Sequence, residues 1–275
     1  MTTLLHASAE QFAATARSVA NQTFRNFEWI VHECGLADPK GTGGCAEQIL
    51  ADLDVPHVRV QREADTVSLA QGRNAAIADA HGDLIAILDG DDECVPDRLR
   101  LQVEYLDRET DTAVLGGATE IINERGATIG FRDYPIKHSA IAEQMRQANQ
   151  IAHPTVMMRR EALLDVGGYH DYGEGACDDY ELWSRMLQAG HRFANVEDIL
   201  LRYRIHANAN KSKRLRATLR DTLRVKRDYW HEELTTADRL RMLGEHVLLR
   251  MPPNWVSRWF LNRTLQPTPP RTRGQ

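Results

Sequence analysis

IAILDGDDECVPDRL, residues 85–99, decides the fold. Its apolar opening, bounded by Gly90, has the length and composition of a buried strand. Asp89, Asp91, Asp92 and Glu93 then arrive together. Pro96 falls where a first helical turn would begin, so CVPDRLRLQVEYLDR (94–108) reads as a helix. The stretch is therefore strand, acidic turn, helix. Four like charges repel one another, so a cluster held at a strand end implies a positive counterpart.

Working outward, the same alternation repeats. TTLLHA (2–7), FEWIVHE (27–33) and HVRVQRE (57–63) read as strands. SAEQFAATARSVANQTF (8–24) has helical spacing, with Phe12, Ala16 and Val19 on one side and Ser8 as N-cap. AEQILADL (46–53) and SLAQGRNAAIADAHG (68–82) read as helices, the second ended by Gly82, and DLIAILDG (83–90) as a fourth strand. Such alternation up to about residue 110 predicts right-handed β-α-β units and a mostly parallel sheet. Ligands of such sheets collect at the carboxyl ends of the strands, which is where Asp89 falls.

The middle of the chain is less regular. AVLGGATEII (113–122) and TIGFRDYP (128–135) are expected to form strands of a smaller sheet. Residues 149–169 read as loop, strand and helix stopped by Gly167 and Gly168. DDYELWSRMLQAGH (178–191) reads as an amphipathic helix, and LLRYRIHANANKS (200–212) as a last strand running into a loop. The expected division is a catalytic domain over 1–212, a basic helical extension over 213–265 and a disordered tail over 266–275.

Composition excludes several classes. At 275 residues, 42% apolar and 27% charged, the chain is an ordinary globular protein. A net charge of -5 argues against a general nucleic-acid binder. The charge is uneven: residues 211–227 hold eight basic side chains and the single acid Asp221, and residues 241–275 hold six Arg and one Glu. Cys34, Cys45, Cys94 and Cys177 form no Cys-x-x-Cys pair, so reduced thiols are expected. No apolar run reaches the roughly 18 residues of a membrane span, and the N-terminus lacks the pattern of a signal peptide. The expected location is cytoplasmic, with room for peripheral contact at the inner face of a membrane.

The chemistry concentrates in the acids. Asp89-Gly90-Asp91 can present two carboxylates to a hard divalent cation whose remaining ligands come from a phosphate, and Gly90 permits close approach. The alternative is a solvated turn, with Asp92 as the N-terminal charge of the following helix. Asp178-Asp179 opens a helix after a glycine-rich loop. An N-cap explains one of the two; the other is placed to take a proton from a nucleophile. Arg73, before Asn74, suits a phosphate or a plain surface position. His206 suits a metal, a phosphate or a structural role. The loop KGTGGC (40–45) lacks the Lys-Ser/Thr ending of a P-loop and reads as a connection.

In their order along the chain these segments resemble family 2 glycosyltransferases of the GT-A fold. RSVANQTFRNFEWIV, SLAQGRNAAIADAHGDLIAILDGDDECVPDRL, HPTVMMRREALLDVGGYHDYGEGACDDYELWSRMLQAGHRF and LRYRIHANANKS carry the likeness, over residues 3 to about 212. The resemblance implies an inverting, metal-dependent transfer from a nucleoside-diphosphate sugar to a glycan or lipid-linked acceptor. It implies Mn²⁺ or Mg²⁺ on Asp91, with Asp89 and His206 beside it. It places Arg73, Gly90 and Glu33 at the donor and makes Asp179 the base, with Asp178 where the family has Glu. A homodimer is allowed for. LLHASA replaces the family's Pro-x-Tyr-Asn-like turn, and Cys34 replaces the second of two acids after the second strand. Both segments shape the nucleobase pocket in the family, so donor identity stays open.

Two other readings compete. A haloacid-dehalogenase phosphatase also places Asp-x-Asp after an apolar strand but needs Thr or Val where Glu93 stands. A degenerate glycosyltransferase would bind nucleotide or partner without turnover; the altered N-terminal turns favour it, and Asp89, Asp91 and Asp179 oppose it.

Overall fold

A computed structural model describes residues 1–4, 7–33, 46–62, 68–172, 177–205, 211–251 and 266–269. His206, the loop 35–45 and the aromatics Trp255, Trp259 and Phe260 lie outside the described residues.

The first third builds an all-parallel sheet. Strands β1 (Thr2–Leu4), β2 (Trp29–Glu33) and β3 (Val58–Arg62) alternate with helices α1 (Ala9–Ala20), α2 (Ala46–Ala51) and α3 (Leu69–Ala78). Ser8 caps α1 and Ser68 caps α3, each in a reciprocal pair with the Gln three residues on, which satisfies two otherwise orphaned amides. Phe12, Ala16 and Val19 are buried, as their spacing predicts.

The run DLIAILDG does not form one strand. It divides into β4 (Leu84–Ala86) and β5 (Leu88–Asp89), which belong to different sheets. β5 pairs parallel with β1 and completes the order β3-β2-β1-β5. β4 pairs antiparallel with β9 (Met157–Arg159) in the second sheet. Ile87 sits between them, where its amide donates to the Val156 carbonyl (2.8 Å) and its own carbonyl accepts from the buried Arg98 guanidinium (2.7 Å). Hydrophobic pattern cannot reveal this switch, because both sheets bury the same kind of side chain.

The second sheet is the larger, not the smaller, and it is mixed. With β6 (Glu93–Cys94), β7 (Thr112–Ile122), β8 (Thr128–Arg132) and β10 (Arg192–Arg204), its order is β4-β9-β7-β10-β6, and β8 pairs with β7. β10 starts eight residues before the LLRYR run that suggested it and lies parallel to β7, with register shifts at Val196–Ile199 and Ile199–Leu201. β6 joins β10 antiparallel, so the parallel expectation holds for the first sheet alone. Helix α4 (Arg98–Arg108) begins two residues after Pro96, which precedes the N-cap Asp97 rather than filling the first turn. Short helices α5 (His138–Met145) and α6 (Arg160–Asp165) flank the sheet, and α7 (Asp178–Gln188) buries Leu182, Trp183 and Met186 against it.

The C-terminal helices α8 (Lys211–Trp230) and α9 (Thr236–Leu248) pack onto this body. Val225 and Trp230 of α8 belong to the same core as Trp183 and Phe193. Trp230 Nε1 donates to Ser184 Oγ of α7 (2.9 Å). Lys226, one of the eight basic residues of 211–227, is 1% exposed and ion-paired with Glu245 of α9 at 2.7 Å. Arg216, Arg220, Arg224 and Arg227 instead share one exposed stripe. Trp230→Ala should destabilise the whole protein by about 3–5 kcal/mol, the cost of emptying a buried Trp site. A single cooperative urea transition at lower midpoint is the expected result.

Candidate functional site

The site lies where β5 and the first turn of α7 meet. Asp89 ends β5, and the register Thr3↔Asp89 sets it one strand away from His32 and Glu33. Glu33 is 2% exposed and holds Arg62, its register partner on β3, at 2.6 Å. The end of the parallel sheet thus presents acids whose positions are fixed by strand pairing.

The four acids of the opening stretch have different fates. Glu93 is neutralised by Arg202 and Arg204 of β10, each at 2.6 Å. Asp92 is 1% exposed and is not the terminal charge of α4. One of its oxygens accepts the Arg204 amide (2.7 Å), while Oδ2 is buried with no hydrogen-bond partner among the described residues. Burial, then the charges of Asp91 and Asp89, push its carboxyl well above the usual range, toward the neutral form. Asp89, 38% exposed, and Asp91, half-buried, are the acids of the turn that solvent reaches beside Glu93. Gly90 is buried below them, its carbonyl within 3.0 Å of the Thr15 hydroxyl of α1. Arg204 Nε donates to the Asp91 carbonyl (2.8 Å), fixing the backbone from which that carboxylate projects. Part of the positive counterpart is therefore the protein's own β10.

The acidic pair on α7 is also divided. Neither is the N-cap; that position is Cys177, whose side chain makes no capping bond. Asp178 and Asp179 occupy the first turn, where the helix dipole favours negative charge. Asp178 forms a buried ion pair with Arg73 of α3, their side chains 12% and 8% exposed. Arg73 does not project as a surface cation: its guanidinium lies 5.1 Å from the centre of the Tyr169 ring. Asp179 accepts from Asn149 Nδ2 (2.9 Å) and from the Tyr180 amide (2.8 Å). Burial and the neighbouring Asp178 charge raise its pKa to about 7, with Asp89 adding to the shift. The same Asp89 field reaches Arg73 and Tyr169, so the Asp-x-Asp turn and the acidic pair form one electrostatic cluster. His206 lies outside the described residues.

Three residues of this cluster escaped sequence reasoning: Asn149, His153 and Tyr169. Asn149 and His153 sit in a stretch read as loop, and Tyr169 follows the helix stop at Gly167-Gly168; neither place has a periodicity that singles out one side chain. Asn74 explains Tyr169. Its amide spans the Tyr169 backbone, donating to the carbonyl (2.7 Å) and accepting from the amide (2.9 Å). Gly168 makes this possible: its φ is +73°, and a Cβ there would stand 2.6 Å from Asn74 Oδ1. The Arg-Asn pair thus serves two jobs, Arg73 on Asp178 and Asn74 on Tyr169.

Among the described residues the donor atoms are carboxylate oxygens, which suit a hard cation. Among the described residues no three His, Cys, Asp or Glu side chains converge to hold a cation by themselves. Two carboxylates and a phosphate ligand would supply the shell in the manner of Mg²⁺ or Mn²⁺.

Comparison with known proteins agrees with this architecture. The sequence model of glycosyl transferase family 2 matches residues 5–167. The chain is 30% identical over 205 residues to the O-antigen biosynthesis glycosyltransferase WbnJ of Escherichia coli, covering 72% of this chain and 76% of that protein. It is 26% identical to the putative glycosyltransferase EpsE of Bacillus subtilis, covering 92% and 89%. It is also 26% identical to the Escherichia coli UDP-Glc:alpha-D-GlcNAc-diphosphoundecaprenol beta-1,3-glucosyltransferase WfaP, covering 74% and 76%. Among solved structures, S. aureus TarS 1-349 in complex with UDP-GlcNAc superposes with a TM-score of 0.61 at 16% identity, covering 89% of this chain and 71% of that one. Mannosyltransferase PcManGT from Pyrobaculum calidifontis, in complex with GDP-Man and Mn2+, gives 0.60 at 14%, covering 92% and 70%. The fold is the GT-A fold.

The Asp179 environment has a consequence for stability. Its folded pKa lies above the unfolded value, so the folded state binds an extra proton between roughly pH 4 and 7, and the stability this gives is lost as pH rises through about 7. Asp179→Asn, which is neutral throughout, should therefore gain in melting temperature over the wild type as pH goes from 5 to about 7, and hold a level margin from there to 8.5. Thermal unfolding across that range measures it.

Proposed function

For a chain that belongs to glycosyl transferase family 2, we propose that this site transfers a sugar from a nucleoside-diphosphate donor to an acceptor hydroxyl with inversion. The observation that carries the proposal is Asp179: an acid with a pKa of about 7, beside a buried ion pair and in electrostatic reach of the Asp-x-Asp turn. A base matched to neutral pH is what deprotonation of an alcohol requires. Asp178 is already committed to Arg73, which favours Asp179 over its neighbour for this role.

In this reading Asp91 and Asp89 would hold Mn²⁺ or Mg²⁺ for the donor diphosphate, and His206 is proposed from the sequence as a further ligand. Bound there, the cation supplies Lewis-acid stabilisation of the leaving phosphate oxygens. Asp179 takes the proton of the acceptor hydroxyl as its oxygen bonds to the anomeric carbon. The carbon–oxygen bond to the diphosphate breaks on the opposite face, its electron pair leaving with the nucleoside diphosphate. Asn149 and the Tyr180 amide hold the carboxylate in place. Glu33 and Gly90 border the donor pocket, and Arg73 acts from beneath by fixing Asp178. Donors of this class are bound by the compared TarS and PcManGT structures, and the relatives' names point to polysaccharide synthesis.

Turnover of nucleotide sugars with Mn²⁺ should rise with pH through a limb near 7, as Asp179 loses its proton. Asp179→Asn should lower turnover by about 10²–10⁴ and remove that limb, with donor affinity nearly unchanged. Asp91→Ala should abolish metal-dependent binding of UDP or GDP in calorimetry while the fold persists. Donor binding by the wild type with no turnover under any acceptor would make it a binding protein instead.

We also propose that the chain associates peripherally with an anionic membrane, where a lipid-linked acceptor like that in the WfaP name would be met. No helix among the described residues is long and apolar enough to cross a membrane. Support comes from α9, on which Leu240, Leu243 and Val247 are 64%, 63% and 59% exposed along one face. Arg239 on the helix and Arg250 just past its end are exposed as well, and each cation near an anionic surface contributes about 1 kcal/mol. Truncation before α9 would disturb the Lys226–Glu245 pair, so point changes are the better test. Leu240→Asp with Leu243→Asp should abolish low-salt pelleting with phosphatidylglycerol vesicles and leave the melting temperature unchanged. Equal pelleting of variant and wild type would refute the assignment.

A further inference from the structure

His153 stands between the two halves of the cluster and has no assigned role. It opens the 3₁₀ turn His153–Thr155, which follows α5 and leads into β9. Thr155 fixes that turn: its hydroxyl donates to the Ala152 carbonyl (2.7 Å) and accepts the Gly117 amide of β7 (3.2 Å). The imidazole is 6% exposed, edge-on to Tyr169 with ring centres 5.8 Å apart, and its ring centre is 6.2 Å from that of Trp183. The ring is thus packed between two aromatic side chains.

Its two nitrogens face different partners. Nε2 lies 2.9 Å from the Tyr169 hydroxyl, and Nδ1 lies 3.9 Å from Asp89 Oδ1. Burial keeps the proton on the Tyr169 phenol. A phenol that donates to Nε2 leaves the ring proton on Nδ1, and a carboxylate opposite Nδ1 favours the same tautomer. The ring therefore aims an N–H at Asp89 across a gap slightly longer than a hydrogen bond. Such contacts tighten when a ligand draws the carboxylate into place.

We propose that His153 is a positioning residue for the donor site: its Nδ1–H orients the Asp89 carboxylate, while Tyr169, clamped by Asn74, sets the ring. This rests on the reading of Asp89 as a donor-site and metal-side carboxylate. The chain of contacts runs from Asp89 through His153 and Tyr169 to Arg73, Asp178 and the base. Losing the orienting hydrogen bond of a metal-side ligand costs metal affinity even though the ligand itself remains.

The two nitrogens can be replaced separately. Asn places an amide nitrogen where Nδ1 stands, and Gln places one where Nε2 stands. Calorimetry with UDP and with GDP, each with Mn²⁺, compares His153→Asn, His153→Gln and His153→Phe with the wild type, with thermal unfolding as the control for folding. His153→Phe and His153→Gln should weaken binding by about 10–100-fold, and His153→Asn should stay within about threefold of the wild type. Rescue by Gln in place of Asn, equal loss in all three, or wild-type affinity in His153→Phe would each overturn the role. Asp91→Ala separates the two levels of inference. If it loses affinity while His153→Phe does not, the positioning role alone fails; if it keeps wild-type affinity, the metal-site reading itself fails.

Discussion

The structure turns on a buried guanidinium. Arg98, 1% exposed, donates to the carbonyls of Ile87 (2.7 Å) and Val156 (3.2 Å) and to Gln102 (3.0 Å). Ile87 is where the chain leaves the mixed sheet and enters the parallel one, so its carbonyl belongs to neither ladder. An unsatisfied buried carbonyl costs about 1–3 kcal/mol, and Arg98 removes that cost at the seam. Gln102, one turn on, extends the same repair by donating to the Leu115 and Thr155 carbonyls. Asp89 follows Ile87 by two residues, so the placement of the Asp-x-Asp turn depends on this join.

Charge disposal is the second constraint. Four adjacent acids would oppose folding if all were ionised and exposed together. β10 takes one through Arg202 and Arg204 and buries another with its Arg204 amide. What solvent meets is chiefly Asp89 and Asp91, the two carboxylates proposed to hold the divalent cation. The same economy appears on α7, where Arg73 holds Asp178 and leaves Asp179 with a pKa of about 7. A buried pair broken on one side typically costs 3–5 kcal/mol, so Arg73 is as much a part of the fold as of the site.

The sequence determined a good deal by itself. Spacing and the Ser8 cap fixed α1, because both act locally, whereas α3 was legible as a helix but stops at Ala78, short of the Gly82 that marked its end. The resemblance carried by the ordered motifs, not composition, indicated the GT-A fold and the glycosyltransferase family. The tertiary structure decided what depends on contacts far apart in the chain. It split DLIAILDG between two sheets, since apolar pattern reports burial but not partner. It separated Asp178 from Asp179, since identical side chains differ only in the neighbours that Arg73 and Asn149 supply from 105 and 30 residues away. It brought His153 and Tyr169 between the two acidic motifs, since a lone polar residue in a loop has no periodicity to announce it. Local sequence sets propensity and pattern; electrostatics and hydrogen bonding between distant segments set which carboxylate keeps its charge.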